Sequence, residues 1–589
     1  MDEGQVRFIE FDDFRVDVVK RRLSRAGETV PLTAKVFDTL LALVESGGEI
    51  VEKEDLMKRV WPDSFVEEGN LTQNISVLRK ALGERPGAHQ YILTVPRVGY
   101  RFVAEARRLP DAGGGATKAR ADSSPQFAGE KTVPSLAVLP FNLLTPGGED
   151  EYLGLGLADA LITRLSNLRQ VIVRPTSAVL RYARPERDPA AAGRELGVGL
   201  VLEGSVRRAG GRLRATVQLV SAGDGRALWA DKFDEEFTDL FEVEDSVAER
   251  VATALALKLS GEERARLSRR YTNNVEAHEF YLRGRYHANK FTLENFYKAI
   301  ECFDRALEID PEYALAYAGI AESYWIAADL YLNPKEAVKK AQEASVRALK
   351  IDDTLAEAHT FLATTRMNYD WDWKEAERHF KRALELNQAY APARHWYGWF
   401  LTIMGRHDEA IAQLQWARQL DPFSLGVNWF LSASLCLAGR YEESAERARE
   451  LIALEPNFWP GHWALGAART YQGEFGEAVA AYRQAGALDA SPMIRGALAH
   501  VHALAGETEE AQAILSELKR TEPDTYVPPY YLALIHLALG ERGEAIAYLE
   551  RAYEEHDGSL PLIKVDRRLD ALRSEPALQR LMSRVGLAD

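Results

Sequence analysis

Cysteine is nearly absent from this 589-residue chain, which has two, Cys302 and Cys436. Two thiols build neither a disulfide framework nor a thiolate metal site, so oxidative staples are excluded and a reducing compartment is expected. Long apolar runs are missing as well. A stretch such as Ser135 to Leu144 reaches about half of the roughly 18 residues that a membrane helix needs. The N-terminus, Met1-Asp2-Glu3-Gly4, lacks the basic and apolar regions of a secretion signal, and a cytoplasmic protein without membrane contact is the expectation. The common enzyme signatures are absent: the sequence has no G-x-x-x-x-G-K-[ST] phosphate loop, no H-E-x-x-H pair, no G-x-S-x-G elbow and no C-x-x-C. Gly154-Leu155-Gly156 is a dinucleotide fingerprint without its third glycine and reads as a plain helix-entry turn. The chain therefore reads as a non-enzyme, with no catalytic residue, metal ligand or cofactor.

Hydrophobic residues at 46% and charged residues at 27% are ordinary globular composition. The length predicts several domains. A formal net charge of -15 argues against a chain that coats nucleic acid indiscriminately, although a mean over the whole length hides local surfaces. From Pro110 to Pro134, Gly113-Gly114-Gly115, Ser123-Ser124-Pro125 and Gly129 break every hydrophobic period. Residues 110–134 thus read as a flexible linker with an r.m.s. span of roughly 25–30 Å.

Repeats dominate the C-terminal half. A glycine followed by a polar residue recurs at Gly405, Gly439, Gly473, Gly506 and Gly540, spaced by 34, 34, 33 and 34. Small residues follow in register at Ala410, Ser444, Ala478, Ala511 and Ala545, and Pro311, Pro422 and Pro456 close units. Glycine supplies the positive φ of a turn, the small residue lets two helix axes approach, and proline stops the second helix. These landmarks, with Gly398, Ala417, Gly466 and Ala485, closely resemble the tetratricopeptide repeat. About eight units fit residues 275–557, the second enlarged around Asn333-Pro334, and residues 558–589 are expected to cap the stack.

Between linker and repeats, residues 135–265 alternate strand-like runs (Ser135 to Phe141, Val171 to Val173) with helix-like ones (Gly156 to Leu168, Pro189 to Leu196). A hairpin is expected from Val201 to Val220 around Gly210-Gly211, and a final helix from Phe241 to Leu259. This α/β module resembles the TolB-amino-terminal-like module seen between DNA-binding and tetratricopeptide segments in CadC-like regulators.

Residues 1–109 carry the functional argument. Short strands precede helices expected near Ala34 to Glu45, Lys53 to Val60 and Gly69 to Leu82, and the last bears Leu71, Ile75, Leu78 and Leu82 on one stripe. Opposite that stripe lie Thr72, Gln73, Ser76 and Lys80, flanked by Asn70, Val77 and Arg79. Such side chains read base edges in a major groove, while Arg79 and Lys80 neutralise phosphates. Tyr91 to Val95 and Gly99 to Val103 then flank Pro96-Arg97-Val98, a hairpin with a cationic tip. Sheet, three helices and hairpin make an α+β winged helix. Val66-Glu67-Glu68, Leu78-Arg79-Lys80-Ala81-Leu82 and Val98-Gly99-Tyr100-Arg101-Phe102 resemble the OmpR/PhoB-type DNA-binding domain. The resemblance implies base contacts from Gln73, Ser76 and Val77, a phosphate contact near Trp61, which is equally placed for core packing, and minor-groove approach by Arg97 and Arg101. Gly69, Ser76 and Val77 stand where relatives often carry cations, which implies a different operator or weaker phosphate binding.

Residues 1–109 hold 17 Lys/Arg against 18 Asp/Glu, a net of -1, which leaves -14 for the rest. A near-neutral reader binds non-specific DNA modestly, so stable occupancy calls for a homodimer on neighbouring half-sites. In the repeats, nine of the eleven tryptophans lie between Trp325 and Trp463. His395, Trp429, Trp463 and Tyr530 share one first-helix position, with Trp399 and Tyr471 nearby. An aromatic groove that grips a protein or peptide partner is one reading, and rings that fill contacts between repeats are the other. The sequence thus predicts a multidomain chain of winged helix, α/β module and all-α tetratricopeptide superhelix. Its expected function is one-component regulation of transcription at double-stranded promoter DNA, with residues beyond 134 sensing or assembling. The alternative is a tetratricopeptide scaffold whose winged helix contacts protein.

Overall fold

The computed structural model describes residues 6–12, 14–17, 21–25, 28–30, 32–46, 50–60, 68–82, 84, 91–95, 98–104, 107–110, 133–144, 150–168, 170–183, 187–209, 211–236, 240–255, 259–290, 292–330, 334–521 and 526–588. The chain forms two compact units, residues 1–129 and 130–589.

In the first unit, strands β1 (Val6–Phe11), β2 (Phe14–Asp17), β3 (Arg22–Arg25) and β4 (Glu28–Val30) precede α1 (Ala34–Glu45), β5 (Ile50–Glu52), α2 (Lys53–Val60) and α3 (Glu68–Ala81). Strands β6 (Ile92–Val95), β7 (Gly99–Phe102) and β8 (Arg107–Pro110) follow. The first four strands form an antiparallel meander closed by β8, in the order β4-β3-β2-β1-β8. Its register pairs Ile9 with Val16 and Val16 with Leu23, so period-two alternation sends all three to one buried face. Strands β6 and β7 are a hairpin whose second strand also pairs β5. Phe11 stacks on Phe14 at 5.3 Å and meets Phe102 edge-on at 4.9 Å, which joins meander and hairpin in one core.

The second unit opens with β9 (Ser135–Val138), β10 (Asn142–Leu143), α4 (Tyr152–Ser166), β11 (Ile172–Val173), α5 (Thr176–Val179) and α6 (Pro189–Glu195). It continues through β12 (Leu200–Ala209), β13 (Arg212–Ser221), β14 (Ala227–Glu236), α7 (Leu240–Ala254) and α8 (Gly261–Leu267). The sheet order is β11-β9-β12-β13-β14, parallel on its first three strands and antiparallel on the last three, with β10 beside β12. Helix α4 is the crossover between β9 and β11, which a parallel pair requires.

Eight antiparallel helix pairs follow among the described residues, from Val275–Ala288 with Leu293–Ile309 to Pro529–Ala538 with Arg542–Glu555. The turn glycines of the fourth to eighth pairs all adopt left-handed backbone, with φ from +78° at Gly473 to +84° at Gly540. Repeat 3 departs from this pattern. Its first helix, Ala356–Thr365, runs on as a π-helical turn, Arg366–Asp370, and Trp371 takes the left-handed position at φ 53°. That turn meets repeat 8, where the Trp371 ring lies 5.1 Å from Tyr553 and 5.0 Å from His556.

The closing residues, expected to cap the stack, pack on the last repeat and also reach well beyond it. Two 3-10 turns, Leu560–Lys564 and Arg567–Leu572, and a helix, Pro576–Arg584, run back along the repeats. Trp373, in repeat 3, donates from Nε1 to the Val585 carbonyl at 2.7 Å. The reason is apolar burial: Leu560, Ile563, Leu569, Leu572, Leu581 and Val585 are each 0–1% exposed in the core cluster that holds Phe400 and Tyr530. One terminal helix could not hide them all.

The α/β module is built onto the repeats. Arg285 of the first repeat donates to Asp159 of α4 at 2.9 Å and pairs with Glu322 of the second repeat, while Thr176 donates to the same Asp159 at 2.6 Å. Farther along, Ser177 donates to Asp421 at 2.5 Å, and the Arg181 guanidinium stands 4.0 Å from the Phe423 ring.

Candidate nucleic-acid interface

Helix α3 forms because its apolar residues recur at helical spacing. Leu71, Ile75, Leu78 and Leu82 are 0–1% exposed, and each such burial contributes about 1.5–3 kcal/mol. Asn74 locks its rotation about that stripe, donating from Nδ2 to Thr39 Oγ1 at 3.0 Å and to the Lys35 carbonyl at 3.1 Å on α1. Lys35 in turn donates to the Val60 carbonyl at the end of α2, at 2.6 Å. The Asn74 bonds tie α3 to α1 and the Lys35 bond ties α1 to α2, and no periodicity in the sequence points to them.

The opposite face of α3 is solvent-exposed at Thr72, Ser76, Val77 and Lys80. Asn70 and Gln73 belong to the same helix, and their side chains lie outside the described residues, as do Trp61 and Arg97 altogether. Arg101 is exposed on β7 between buried Tyr100 and Phe102. Gly99 opens that strand because a Cβ there would stand 2.0 Å from the Val51 carbonyl oxygen of β5, closer than any side chain tolerates.

Arg79, expected to neutralise a phosphate, makes its contacts in this structure within the domain. Its Nη2 donates to the Ile92 carbonyl and to Thr94 Oγ1, both at 2.8 Å, and Nε lies 3.8 Å from the buried Glu84 carboxylate. Two hydrogen-bond acceptors on β6, with the Glu84 carboxylate as an ionic neighbour, turn the guanidinium toward the hairpin. Arg79 therefore ties the helix to the wing, and Lys80 is the exposed cation of the pair.

In the repeats, four of the six aromatic and imidazole groups expected to line a groove form one row. His395 stacks on Trp396 at 4.8 Å and meets Phe430 at 4.7 Å; Trp399 and Trp429 flank Phe430 at 4.8 and 4.9 Å, and Trp429 reaches Trp463 at 6.4 Å. Burial pushes the His395 imidazole down to about 3, so the ring is neutral. His395 Nε2, Trp429 Nε1 and Trp463 Nε1 are buried without a hydrogen-bond partner among the described residues. The other two groups are engaged elsewhere. Tyr471 and Tyr530 each donate at 2.7 Å to the carboxylate of Asp566, in the returning C-terminal segment, so neither hydroxyl is open on a groove.

The comparisons with known proteins follow this division. Residues 27–102 match the family model "Transcriptional regulatory protein, C terminal", residues 131–250 the model "HilA/YgeH-like transcriptional regulator, second domain", and residues 290–313 the tetratricopeptide repeat. Among curated relatives, the chain is 31% identical over 290 residues to "Putative adenylate cyclase 3" of Rhizobium meliloti, covering 47% of this chain and 48% of that protein. It is 25% identical over 417 residues to the transcriptional regulator HilA of Salmonella typhimurium, covering 70% of each chain. The chain thus spans about half the length of the first relative. Among solved structures, the DNA-binding domain of E. coli CadC is 28% identical and matches 18% of this chain and 99% of its own, with a TM-score of 0.17. Among the described residues no helix is long and apolar enough to cross a membrane.

Proposed function

We propose, from the premise that the chain is a winged-helix regulator of the OmpR/PhoB type with C-terminal tetratricopeptide repeats, that it binds double-stranded promoter DNA and regulates transcription there. The observation that carries this reading is the two-faced helix α3, apolar and buried on one side and polar and exposed on the other, with the wing hairpin tied beside it. Thr72, Ser76 and Val77, with Asn70 and Gln73 of the same helix, read base edges, and Val77 suits a thymine methyl. Lys80 and the wing residues Arg97 and Arg101 contact the backbone or the minor groove, and Trp61 a phosphate. Arg79 acts as a positioning residue. The domain's near-zero net charge favours two copies on adjacent half-sites, and so a homodimer.

The α/β module and repeats supply the input. The His395, Trp399, Trp429 and Trp463 row suits a protein or peptide partner that packs on its rings. Selection of bound sequences from a randomised duplex library by the full chain tests the reading. The expected result is an enriched motif of two half-sites about 10 base pairs apart, lost in Ser76→Glu. Retention of random sequence only, by wild type and variant alike, would overturn it.

A further inference from the structure

The repeats close on themselves. Repeat 3 meets repeat 8 where Trp371 stacks on His556, and residues 557–587 thread the space that results. This segment is held in the way a ligand is held. Asp566 accepts hydrogen bonds at 2.7 Å from two tyrosines of different repeats, Tyr471 and Tyr530, and its own Arg568 closes the shell at 2.6 Å. Leu560, Ile563, Leu569 and Leu572 fill the apolar space around that polar anchor, and Trp373 fixes the far end through the Val585 carbonyl. The tyrosines that first-helix periodicity places on the partner face are thus already used, and by this chain itself.

We propose that this half of the repeat array is a peptide-docking surface whose resident occupant is the chain's own C-terminal segment, and that the partner it fits is an acidic, apolar segment that sets a carboxylate between Tyr471 and Tyr530 in place of Asp566. The specificity follows from the anchor. Two hydroxyl donors converge on one acceptor, so an incoming peptide with an amide or alkyl group there leaves a buried donor unpaired. The resident segment is covalently attached, so it competes at a high effective concentration, and a partner engages where the segment is released. The idea deepens the partner reading of the repeats and is independent of whether the winged helix binds DNA.

The test uses the full chain and, as probe, a fluorescent synthetic peptide of residues 557–588. The wild-type chain should take up the probe weakly. The chain carrying Asp566→Ala, whose own segment has lost its anchor while the groove is intact, should bind it at least tenfold more tightly, and unlabelled probe carrying Asp566→Ala should compete at least tenfold less well than unmodified probe. Equal uptake by both folded chains, or equal competition by both peptides, would overturn the proposal. Hydrogen exchange on the wild-type chain needs no variant: amides of 560–587 should exchange at least tenfold faster than those of Trp459–Gln472, and matched protection would mean a segment that never leaves. Both readouts omit DNA, so their failure is distinct from failure of promoter binding.

Discussion

The imidazole of His556 lies stacked on the indole of Trp371, 5.0 Å between centroids and 12° between planes, and both residues hold left-handed backbone at φ 56° and φ 53°. A side chain with a Cβ pays about 1–2 kcal/mol for that conformation, so the stack offsets strain on both sides of the junction between repeats 3 and 8. Trp371→Ala keeps the strain and loses the ring contact, for an expected destabilisation of about 1–3 kcal/mol. Trp371→Gly loses the same contact but relieves the strain, so it should be the more stable of the two variants by about 1 kcal/mol. Urea denaturation of the three full-length proteins gives the order directly, and an alanine variant at least as stable as the glycine variant would remove the strain argument.

What the sequence makes legible is what local chemistry encodes. Gly405, Gly439, Gly473, Gly506 and Gly540 announce the repeat turns because a positive φ is needed there, and each has one. Ala34–Glu45 and Lys53–Val60 are helices on the span that periodicity predicts. The site is legible by face but not by partner. Leu71, Ile75, Leu78 and Leu82 place α3, yet nothing near Arg79 says that its acceptors are Ile92 and Thr94, across a hairpin. Tyr530 sits in register with a groove and Tyr471 near it, while the carboxylate they hold comes 36 and 95 residues later. Such long-range polar pairs leave no period, and the 3-10 turns of the returning segment carry neither helical nor strand spacing.

The division of labour between Arg79 and its neighbour separates by salt dependence. Arg79→Ala removes two hydrogen bonds from β6 and leaves Glu84 without its cation, an expected loss of about 1–3 kcal/mol in stability of the domain. Promoter affinity should fall with it, while the slope of log affinity against log salt stays unchanged. Lys80→Ala should leave the thermal midpoint alone and reduce that slope by about 0.9, the value of one phosphate contact. Fluorescence anisotropy across a salt series decides the matter, and a reduced slope in Arg79→Ala would return that residue to the DNA backbone.

Arg285 should be among the least replaceable residues of the second unit. It sits against two carboxylates, Asp159 from α4 and Glu322 from repeat 2, and both pull its proton affinity upward against the cost of burial. Arg285→Met leaves the buried Asp159 carboxylate and the half-buried Glu322 carboxylate without their shared cation, a cost of about 3–5 kcal/mol. Asp159 lies in the α/β module, so the module and the first repeats should lose protection together in hydrogen exchange of this variant. Loss confined to the repeats alone would show that the ion pair does not couple them.

Asp557 gives the junction between repeat 8 and the returning segment a dependence on pH. Its carboxylate accepts from the backbone N–H groups of Tyr530 at 2.9 Å and Ser559 at 2.8 Å, and burial pushes its pKa up from 3.8 to about 6. A carboxyl raised in the folded state binds its proton more tightly there than in the unfolded chain. Between about 4 and 6 the folded state therefore holds more protons, and stability falls as pH rises through that window and levels off above it. Asp566 lies outside the window. Burial raises its pKa, but Arg568 and the two tyrosine hydroxyls outweigh that and hold it at about 2, so its contribution is full above about 4 and is lost only as pH falls toward 2. Asp421 is also raised by burial, so the bare pH profile mixes groups, and the informative quantity is the difference between wild type and Asp557→Asn. The amide removes the charge and keeps one oxygen, an acceptor for one of the two backbone donors, so the variant carries a constant offset and only the change of the difference with pH reports the titration. Wild type should lose about 1.4 kcal/mol relative to the variant between pH 5 and pH 7, the share of the window that lies between pH 5 and pH 6. Denaturation curves of the two proteins that stay parallel from pH 5 to pH 7 would show that Asp557 is already solvated as an anion in the folded chain.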